Sequence, residues 1–343
     1  MAAQTKGTIL VTGGGGFVGG QIIREALESG FAVRLTARSA SSAARTIARF
    51  PSFATSLSSA IVVDMTTPEA YEAAFADGSI THIVHSASPF NLSPQDTLRD
   101  LLKPAIKGAT SILEAALRYG GGKVKRVVAT SSFAAIHDLS TGAREGYTYD
   151  EKDWNPVTWE EAVASTGTVA YCASKALAEK AMWDWIAAHK AEISFGLATV
   201  CPPWVFGPYA HELRDTKTLS ESVQLLNVIV DSDAVPAFDF GGYADSREVA
   251  AAHVRALEVP EAEGKRFLVG QDFRYQAAVD LAREDPELAK RLPVGKTGEW
   301  VPAYHIDGTL ATRVLGLEYG TLKDTATQTF RQLVKARELE AAA

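Results

Sequence analysis

The sequence predicts an α/β fold in which helices cover both faces of a parallel β-sheet. Three observations support this prediction. An apolar stretch from Thr8 runs into the glycine run TGGGGFVGG, strand and helix patterns alternate through the first half of the chain, and the motif YCASK places Tyr171 four residues before Lys175. Alternating strands and helices are typical of a doubly wound parallel sheet.

The glycine run gives the first turn a dinucleotide-binding pattern. Residues Thr8 to Thr12 are apolar or β-branched and predict a strand, and Phe17 to Glu28 continue as an amphipathic helix. Between them, Gly13, Gly16 and Gly19 have the spacing GxxGxxG. We expect the first glycine to allow a tight turn, the second to let backbone approach a pyrophosphate, and the third to allow close helix packing. Strand, glycine turn and helix predict a Rossmann-type site, with a plain glycine-rich loop as the alternative.

The end of the second predicted strand indicates which dinucleotide binds. This strand ends in Arg38, and the chain has no Asp or Glu between Glu28 and Asp64. An acid here would accept a hydrogen bond from the ribose of NAD, whereas an arginine accommodates the 2′-phosphate of NADP. We therefore expect NADP(H), with Arg38 as the main phosphate partner and Ser39 or Ser42 as hydroxyl donors. The alternative is that the arginine only solvates a loop.

The other elements follow from hydrophobic pattern. Helices are predicted over Ser42–Phe50, Pro68–Phe75, Leu101–Tyr119, Val169–His189, Ser246–Glu258 and from Leu322, and strands over Ala60–Val63, His82–His85, Lys125–Ser131, Ile193–Val200 and Arg266–Val269. After Cys201-Pro202-Pro203-Trp204, proline density indicates that the chain leaves the sheet. We predict an NADP-binding Rossmann domain over residues 1–203, with about 238–258 returning to it, and a smaller, discontinuous C-terminal substrate lobe over 204–237 and 259–343.

Tyr171 and Lys175 form the candidate catalytic pair. Residues i and i+4 share one face of a helix, so the phenol and the ammonium would project into one pocket. We expect the ammonium to lower the pKa of the phenol from about 10 towards the range useful for proton transfer, and to hold ribose hydroxyls. The spacing YxxxK also occurs by chance on exposed helices.

Polar residues end two of the predicted strands, where parallel sheets open their crevice. Ser131 and Ser132 follow one strand, and alternation sends their side chains to opposite faces, so either could bind a substrate carbonyl. Asp64 follows another strand. Its carboxylate could accept from the adenine amine or could cap its own loop.

Composition excludes several classes of protein. The net charge of the 343 residues is −7 and no basic run occurs, so neither nucleic acid nor an anionic membrane is expected as a partner. No segment is apolar enough to span a bilayer, and the first strand begins by residue 8, which leaves no room for a signal peptide, so we expect a cytoplasmic protein. Cys172 and Cys201 make neither a disulfide framework nor a zinc pattern, and no metal is expected.

Together these motifs resemble the extended short-chain dehydrogenase/reductases of the dihydroflavonol reductase and cinnamoyl-CoA reductase group, and most of all the fungal NADPH-dependent methylglyoxal/3-methylbutanal reductases, also used as ketone reductases. The similarity runs over nearly the whole chain. It is carried by HSASPF from His85, LRDLLKPAIKG from Leu98, RVVATSSFAAIHD from Arg126, DWNPVTWE from Asp153, AYCASKALAEKAMWDW from Ala170, VFGP from Val205, FGGYADSREVAAAH from Phe240 and PVGKTG from Pro293.

The resemblance implies a set of site residues. It makes Ser132, Tyr171 and Lys175 the catalytic triad and so favours Ser132 over Ser131. The implied cofactor contacts are Gly13, Gly16, Phe17, Val18, Gly19, Arg38, Asp64, Met65, Ala87, Ser88, Tyr171, Lys175, Pro202 and Val205, and the implied substrate contacts are Phe90, Ser132, Phe133, Thr168, Val169 and Trp204. The chain departs from the family at Phe133, where a tyrosine is common, and at Ser42, where a lysine is common, which would soften the preference for NADPH.

The resemblance also implies a reaction. An NADPH-dependent carbonyl reductase would reduce aldehydes and ketones, such as methylglyoxal, 3-methylbutanal and aryl or alkyl ketones, with Tyr171 as proton donor; we expect a monomer or a homodimer. A cinnamoyl-CoA or dihydroflavonol-type reductase is one alternative. A nucleotide-sugar epimerase or dehydratase is another, although such enzymes usually carry an acid after the second strand. A redox-sensing binding protein of the same fold typically lacks the Tyr–Lys pair.

Overall fold

The computed structural model describes residues 5–88, 91 and 93–342. Its strands, in chain order, are β1 Thr8–Thr12, β2 Ala32–Ala37, β3 Leu57–Ile61, β4 Ile80–His85, β5 Arg126–Thr130, β6 Thr148–Tyr149, β7 Gly196–Cys201, β8 Trp204–Phe206, β9 Gly242–Asp245, β10 Arg266–Leu268, β11 Gln271–Asp272 and β12 His305–Ile306. Its α-helices are α1 Phe17–Glu28, α2 Ala40–Ile47, α3 Glu72–Phe75, α4 Lys103–Tyr119, α5 Trp159–Ala164, α6 Gly167–Ala188, α7 Glu221–Asn227, α8 Ser246–Glu258, α9 Tyr275–Ala282, α10 Thr309–Leu315 and α11 Leu322–Ala341.

Seven parallel strands form the central sheet, in the order β3-β2-β1-β4-β5-β7-β10. The strand order reverses between β1 and β4. In open α/β sheets the ligand crevice lies at such a switch point, outside the carboxyl ends of the strands. The predicted α/β, Rossmann-type fold is confirmed, and the glycine turn after β1 lies at the switch point.

Helices cover both faces of the sheet, because the central strands are apolar on both sides. In β1, Ile9 and Val11 belong to the core cluster that contains α1 and α8, whereas Leu10 belongs to the cluster that contains α4. All three side chains have no exposed surface. A strand buried on both faces has a continuous apolar run rather than an alternating one, as the sequence shows here.

Two smaller sheets lie outside the central one. β8, β9 and β11 form a three-stranded sheet, and β6 pairs with β12. The central sheet takes its last strand, β10, from residues 266–268, a segment that the predicted division assigns to the substrate lobe. The division into two domains therefore stays a prediction, and the sheet crosses its boundary.

Some of the predicted helix and strand bounds agree with the structure, and others are shifted. The bounds of α1 and α8 and the start of α11 agree with the prediction. The third strand was predicted over Ala60–Val63 but runs from Leu57 to Ile61, because its pairing with β2 begins at Val33 and ends at Ala37. None of the helices in the described ranges is both long and apolar enough to cross a membrane.

Candidate active site

The glycine turn after β1 is shaped by close backbone contacts. Gly13 has φ +72°, and a Cβ atom here would lie 2.8 Å from the backbone nitrogen of Ala87. A Cβ atom on Gly19 would collide with the carbonyl of Gly13, so the third glycine lets α1 approach the turn itself. Gly16 is exposed, and a Cβ atom here would meet nothing closer than 3.4 Å. The second glycine therefore borders open space at the amino end of α1, where first-turn N–H groups have no partner within the helix.

The loop after β4 is fastened to the end of β1. The Thr12 hydroxyl accepts a hydrogen bond from the backbone N–H of Ala87 over 3.0 Å and lies 2.9 Å from Nδ1 of His85. Burial lowers the pKa of His85 to about 4, so the imidazole is neutral at pH 7. Sequence reasoning missed Thr12 and His85, although both are polar residues at the carboxyl ends of adjacent buried strands.

Helix α6 brings Tyr171 and Lys175 to the same crevice. The Ser132 side chain lies beside the Tyr171 phenol and favours its ionised form, and Ser132 Oγ accepts a hydrogen bond from the backbone N–H of Ala134 at 3.1 Å. Lys175 Nζ donates to Ser88 Oγ at 2.7 Å and lies 5.5 Å from the centre of the Tyr171 ring. The structure thus brings all three residues of the predicted triad together, with the loop after β4 beside them.

The protonation states of Tyr171 and Lys175 differ from the expectation. Burial raises the pKa of Tyr171 above its ordinary value, and the hydrogen bond from Ser132 only partly opposes this. The predicted lowering of the Tyr171 pKa by Lys175 is therefore wrong in this structure. Lys175 is partly buried, and loss of water around its ammonium lowers its own pKa to about 8. At pH 7 the tyrosine is a protonated acid and the lysine is mostly charged.

The structure separates the two serines at the end of β5. Ser131 Oγ donates to Glu179 Oε2 at 2.6 Å, whereas Ser132 lies beside Tyr171. The side chain of Ser131 is thus engaged with Glu179, and the role of Ser132 towards a substrate carbonyl stays a prediction. Sequence reasoning missed Glu179, although it lies four residues after Lys175 and so on the same face of α6.

A small cavity of about 30 Å³ lies beside the lysine. Its wall includes Ala87, Ser88, Ser131, Lys175 and Glu179. Two of the predicted cofactor contacts on the loop after β4 therefore face the same space as the catalytic helix.

The predicted 2′-phosphate site lies at the start of α2. Arg38 follows β2 directly and is exposed, and within the described ranges no residue accepts a hydrogen bond from its guanidinium. Ser39 and Ser42 cap α2 reciprocally: Ser39 Oγ accepts from the Ser42 N–H at 3.2 Å, and Ser42 Oγ donates to the Ser39 carbonyl at 2.9 Å. The guanidinium of Arg38 is therefore available to bind a phosphate, whereas the hydroxyls of Ser39 and Ser42 already form hydrogen bonds that cap α2.

Asp64 has the loop-capping role that was left open. Its Oδ1 accepts from the backbone N–H and the hydroxyl of Thr66, at 2.9 and 2.7 Å, and these bonds lower the pKa of the carboxyl. The side chain is exposed, so its role towards adenine stays a prediction. Met65, the next residue, packs against Gly108 of α4 and joins the core cluster on that face.

The remaining predicted cofactor contacts lie on two segments near the crevice. The Phe17 ring is buried and lies 4.4 Å from the Tyr209 ring, so its side chain serves packing at the start of α1, and Val18 is partly buried beside it. The carbonyl of Pro202 accepts from the Phe133 N–H at 2.9 Å. Val205 is buried, and its N–H donates to Ser222 Oγ at 3.2 Å.

The residues predicted to line the substrate pocket include both exposed and buried side chains. Thr168 and Val169 are exposed at the start of α6, and Trp204 is partly buried with its ring 5.4 Å from that of Phe240. Phe90 lies outside the described residues. The structure corrects the prediction for Phe133. Its side chain has no exposed surface, because it packs in an aromatic cluster with His137, Tyr149, Phe240 and Tyr304. Phe133 is a core residue rather than a wall of the pocket.

Comparison with known proteins identifies the family of the chain. The profile of the NAD dependent epimerase/dehydratase family matches residues 9–270. The chain belongs to this family. Within this family, the predicted likeness to the extended short-chain reductases is confirmed by relatives that are similar over the whole chain.

The relatives of the chain include enzymes of named activity. The chain is 34% identical over 342 residues to the NADPH-dependent methylglyoxal reductase GRE2 of Saccharomyces cerevisiae, covering 96% of this chain and 98% of that protein. It is 35% identical to the ketoreductase azaE of Aspergillus niger, covering 92% and 94%. A cinnamoyl-CoA reductase of Medicago truncatula is 29% identical over 73% of this chain and 72% of that protein, which makes it a more distant relative.

Solved structures of the family have the same fold. The yeast methylglyoxal/isovaleraldehyde reductase Gre2 complexed with NADPH superposes with a TM-score of 0.88 at 32% identity, covering 97% of this chain and 99% of that one. A UDP-glucose 4-epimerase from Thermotoga maritima has a TM-score of 0.70 at 20% identity, covering 96% of this chain and 99% of that one. At that identity the epimerase shows a common fold and no common reaction.

Proposed function

We propose that the protein is an NADPH-dependent oxidoreductase that reduces neutral aldehydes and ketones to alcohols. The observation that carries this proposal is the placement of Ser132 beside the Tyr171 phenol at the switch-point crevice, with the ammonium of Lys175 next to both. Two hydroxyls that converge on one point, one of them on a protonated phenol, form a site for a carbonyl oxygen. Relatives named as a methylglyoxal reductase and a ketoreductase support the same reaction.

The residues of the crevice fit a phosphorylated dinucleotide. The backbone beside Gly16 borders open space at the amino end of α1, which suits the anionic pyrophosphate. Arg38 lies at the carboxyl end of β2 without a hydrogen-bond acceptor among residues 5–88, 91 and 93–342, which suits the 2′-phosphate. Yeast Gre2 is complexed with NADPH in its solved structure, and NADP(H) is the cofactor of this protein.

The reaction follows from the protonation states in the site. When bound, NADPH supplies the hydride that reduces the carbonyl carbon. Ser132 and Tyr171 bind the carbonyl oxygen, and Tyr171 donates its proton to that oxygen as negative charge develops. The raised pKa keeps the phenol protonated until this transfer. The ammonium of Lys175 lies near enough to stabilise the phenolate that remains, and we assign it the ribose hydroxyls as well.

The substrate class follows from the surfaces around the crevice. Val169 and Trp204 present apolar surface, and burial of a substrate's apolar groups contributes about 25 cal/mol per Å². A carboxylate or a nucleotide sugar would lose its hydration there without gaining a partner. We therefore assign methylglyoxal, 3-methylbutanal and aryl or alkyl ketones as substrates. A cytoplasmic location and a monomeric or homodimeric state stay predictions.

A cofactor-oxidation assay tests the proposal. The purified protein is incubated with NADPH and, separately, with methylglyoxal, 3-methylbutanal, an aryl ketone, pyruvate and a UDP-sugar, and both NADPH loss and product are measured. We expect NADPH loss matched by alcohol formation with the neutral carbonyl compounds. A parallel incubation of the UDP-sugar with NAD⁺ supplies the hydride acceptor that epimerisation needs, and conversion there without net change of the nucleotide would instead identify an epimerase. No reaction with any neutral carbonyl compound would contradict the proposal.

A further inference from the structure

Two side-chain contacts join helix α6 to the end of β5. One is the approach of Ser132 to the Tyr171 phenol in the site already described. The other runs from Ser131 Oγ to Glu179 Oε2 over 2.6 Å. Tyr171 and Glu179 are eight residues apart on α6, which corresponds to about 12 Å along a helix axis. Ser131 and Ser132, two neighbouring residues at the end of β5, thus contact α6 at two separate positions.

Glu179 is a rigid anchor for the second of these contacts. Only 1% of its side chain is exposed. Its Oε1 accepts from Thr199 Oγ1 at 2.7 Å, Trp183 Nε1 at 3.2 Å and Arg266 Nε at 2.7 Å, and its Oε2 accepts from Arg266 Nη2 at 3.2 Å. A buried carboxylate with this many donors has one orientation, since any rotation would leave buried polar groups without partners.

Arg266 connects the same anchor to the edge of the sheet and to the segment before α5. It belongs to β10, and its Nη1 donates to the carbonyls of Glu151 and Asp153 at 2.8 and 2.7 Å. Its guanidinium also lies 3.5 Å from the centre of the Trp154 ring. Burial alone would raise the pKa of Glu179, but the charge and hydrogen bonds of Arg266 hold it below its ordinary value, so the carboxylate is charged at neutral pH.

We infer that Ser131 and Glu179 are positioning residues, which act through Ser132 to hold its hydroxyl opposite Tyr171. This inference rests on the proposed reduction, because it assigns the pair a part in that reaction. On one side, the backbone around Ser132 is hydrogen-bonded to β7 and to the residue that follows it. The Ser131 N–H donates to the carbonyl of Val200, and the Phe133 N–H donates to the carbonyl of Pro202. On the other side, the hydrogen bond from Ser131 to Glu179 fixes this backbone relative to α6. Without it, the helix that carries Tyr171 can shift against the strand end that carries Ser132.

Thr199 provides a matched control. Ser131→Ala and Thr199→Val each remove one hydroxyl that donates to the same carboxylate, but only Ser131 is bonded through the chain to Ser132. We expect Ser131→Ala to lower kcat for a neutral ketone about 10-fold at unchanged KM for NADPH, because small displacements of reacting groups are costly. Thr199→Val should leave kcat within about 2-fold of the wild type. Equal losses in both variants, or no loss in Ser131→Ala, would overturn the inference.

A double-mutant cycle separates positioning from a general structural role. If Ser131 acts through Ser132, then Ser131→Ala should cost nothing further in a Ser132→Ala background. A merely structural loss would be the same size in both backgrounds and would overturn the inference. Thermal unfolding of every variant shows whether each remains folded at the assay temperature.

A structural readout keeps this test independent of the proposed reaction. Crystal structures of the wild type and of Ser131→Ala should show the Ser132–Tyr171 hydrogen bond in the first and its loss in the second. If the wild type reduces no carbonyl compound, the proposed function fails while this comparison still decides the positioning role. Retention of the bond in Ser131→Ala would overturn the role even in an active enzyme.

Discussion

Lys175 on α6 and Ser88 in the loop after β4 are joined by a hydrogen bond of 2.7 Å, although 87 residues separate them in the chain. The same loop is tied to β1 through the Ala87 N–H and Thr12. The ammonium is therefore placed by two neighbouring central strands as well as by its own helix. A lysine held in this way sits where the glycine turn, the catalytic helix and the loop after β4 meet.

Tyr171→Phe should abolish carbonyl reduction while the protein stays folded. The ring keeps its packing, but the proton donor is lost, and general acid catalysis contributes about 10² to 10⁴ in rate. The measurement is kcat with 3-methylbutanal, with near-ultraviolet circular dichroism as the control for folding. A folded variant with full activity would exclude Tyr171 as the acid.

Arg38→Ala should weaken NADPH binding and leave NADH binding nearly unchanged. A charge-assisted hydrogen bond to a phosphate contributes roughly 1.5 to 3 kcal/mol, so KM for NADPH should rise about 10-fold to 100-fold. Arg45→Ala is the matched control, because Arg45 is also an exposed arginine but lies in the last turn of α2, away from the end of β2. Equal weakening of both nucleotides by Arg38→Ala would show that the arginine is structural.

Activity should fall as the pH rises through about 8, where the buried ammonium of Lys175 loses its proton. Stability should respond in the opposite direction. The folded-state pKa is below the ordinary value of 10.5, so the unfolded chain binds more protons between about pH 8 and 10.5, and the free energy of unfolding rises with pH there. The measurements are kcat/KM against pH, and thermal unfolding against pH for the wild type and Lys175→Met. A flat activity profile up to pH 10 would contradict the role of the charge.

Phe133→Ala should destabilise the protein, by about 3 to 5 kcal/mol, because the ring is fully buried among other aromatic rings. Val169→Ala is the contrasting variant, since 48% of Val169 is exposed at the start of α6. It should change kcat/KM between small aldehydes and aryl ketones with a stability change of about 0.5 kcal/mol or less. Denaturant unfolding and substrate profiles of both variants provide the comparison. A stable Phe133→Ala protein with altered stereoselectivity would return Phe133 to the pocket wall.

The sequence predicts best where local chemistry decides the structure. The glycine turn with β1 and α1, and the YxxxK spacing on α6, depend on backbone conformation and helical periodicity alone. The register of β3 was missed because pairing with β2 is a contact between distant segments. Phe133 was placed wrongly for a related reason. Its burial depends on Phe240 and Tyr304, which no local pattern brings to it.

The position of Arg266 has a consequence for the order in which the protein is made. Its ion pair with Glu179 spans 87 residues, and β10 completes the central sheet only after β8, β9 and α8 have been synthesised. A nascent chain that has emerged only as far as α6 therefore carries a carboxylate destined for the interior without the guanidinium that neutralises it, and burying such a charge alone is costly. The carboxylate of Glu179 therefore gains its charged partner only when the strand at the edge of the central sheet has been synthesised.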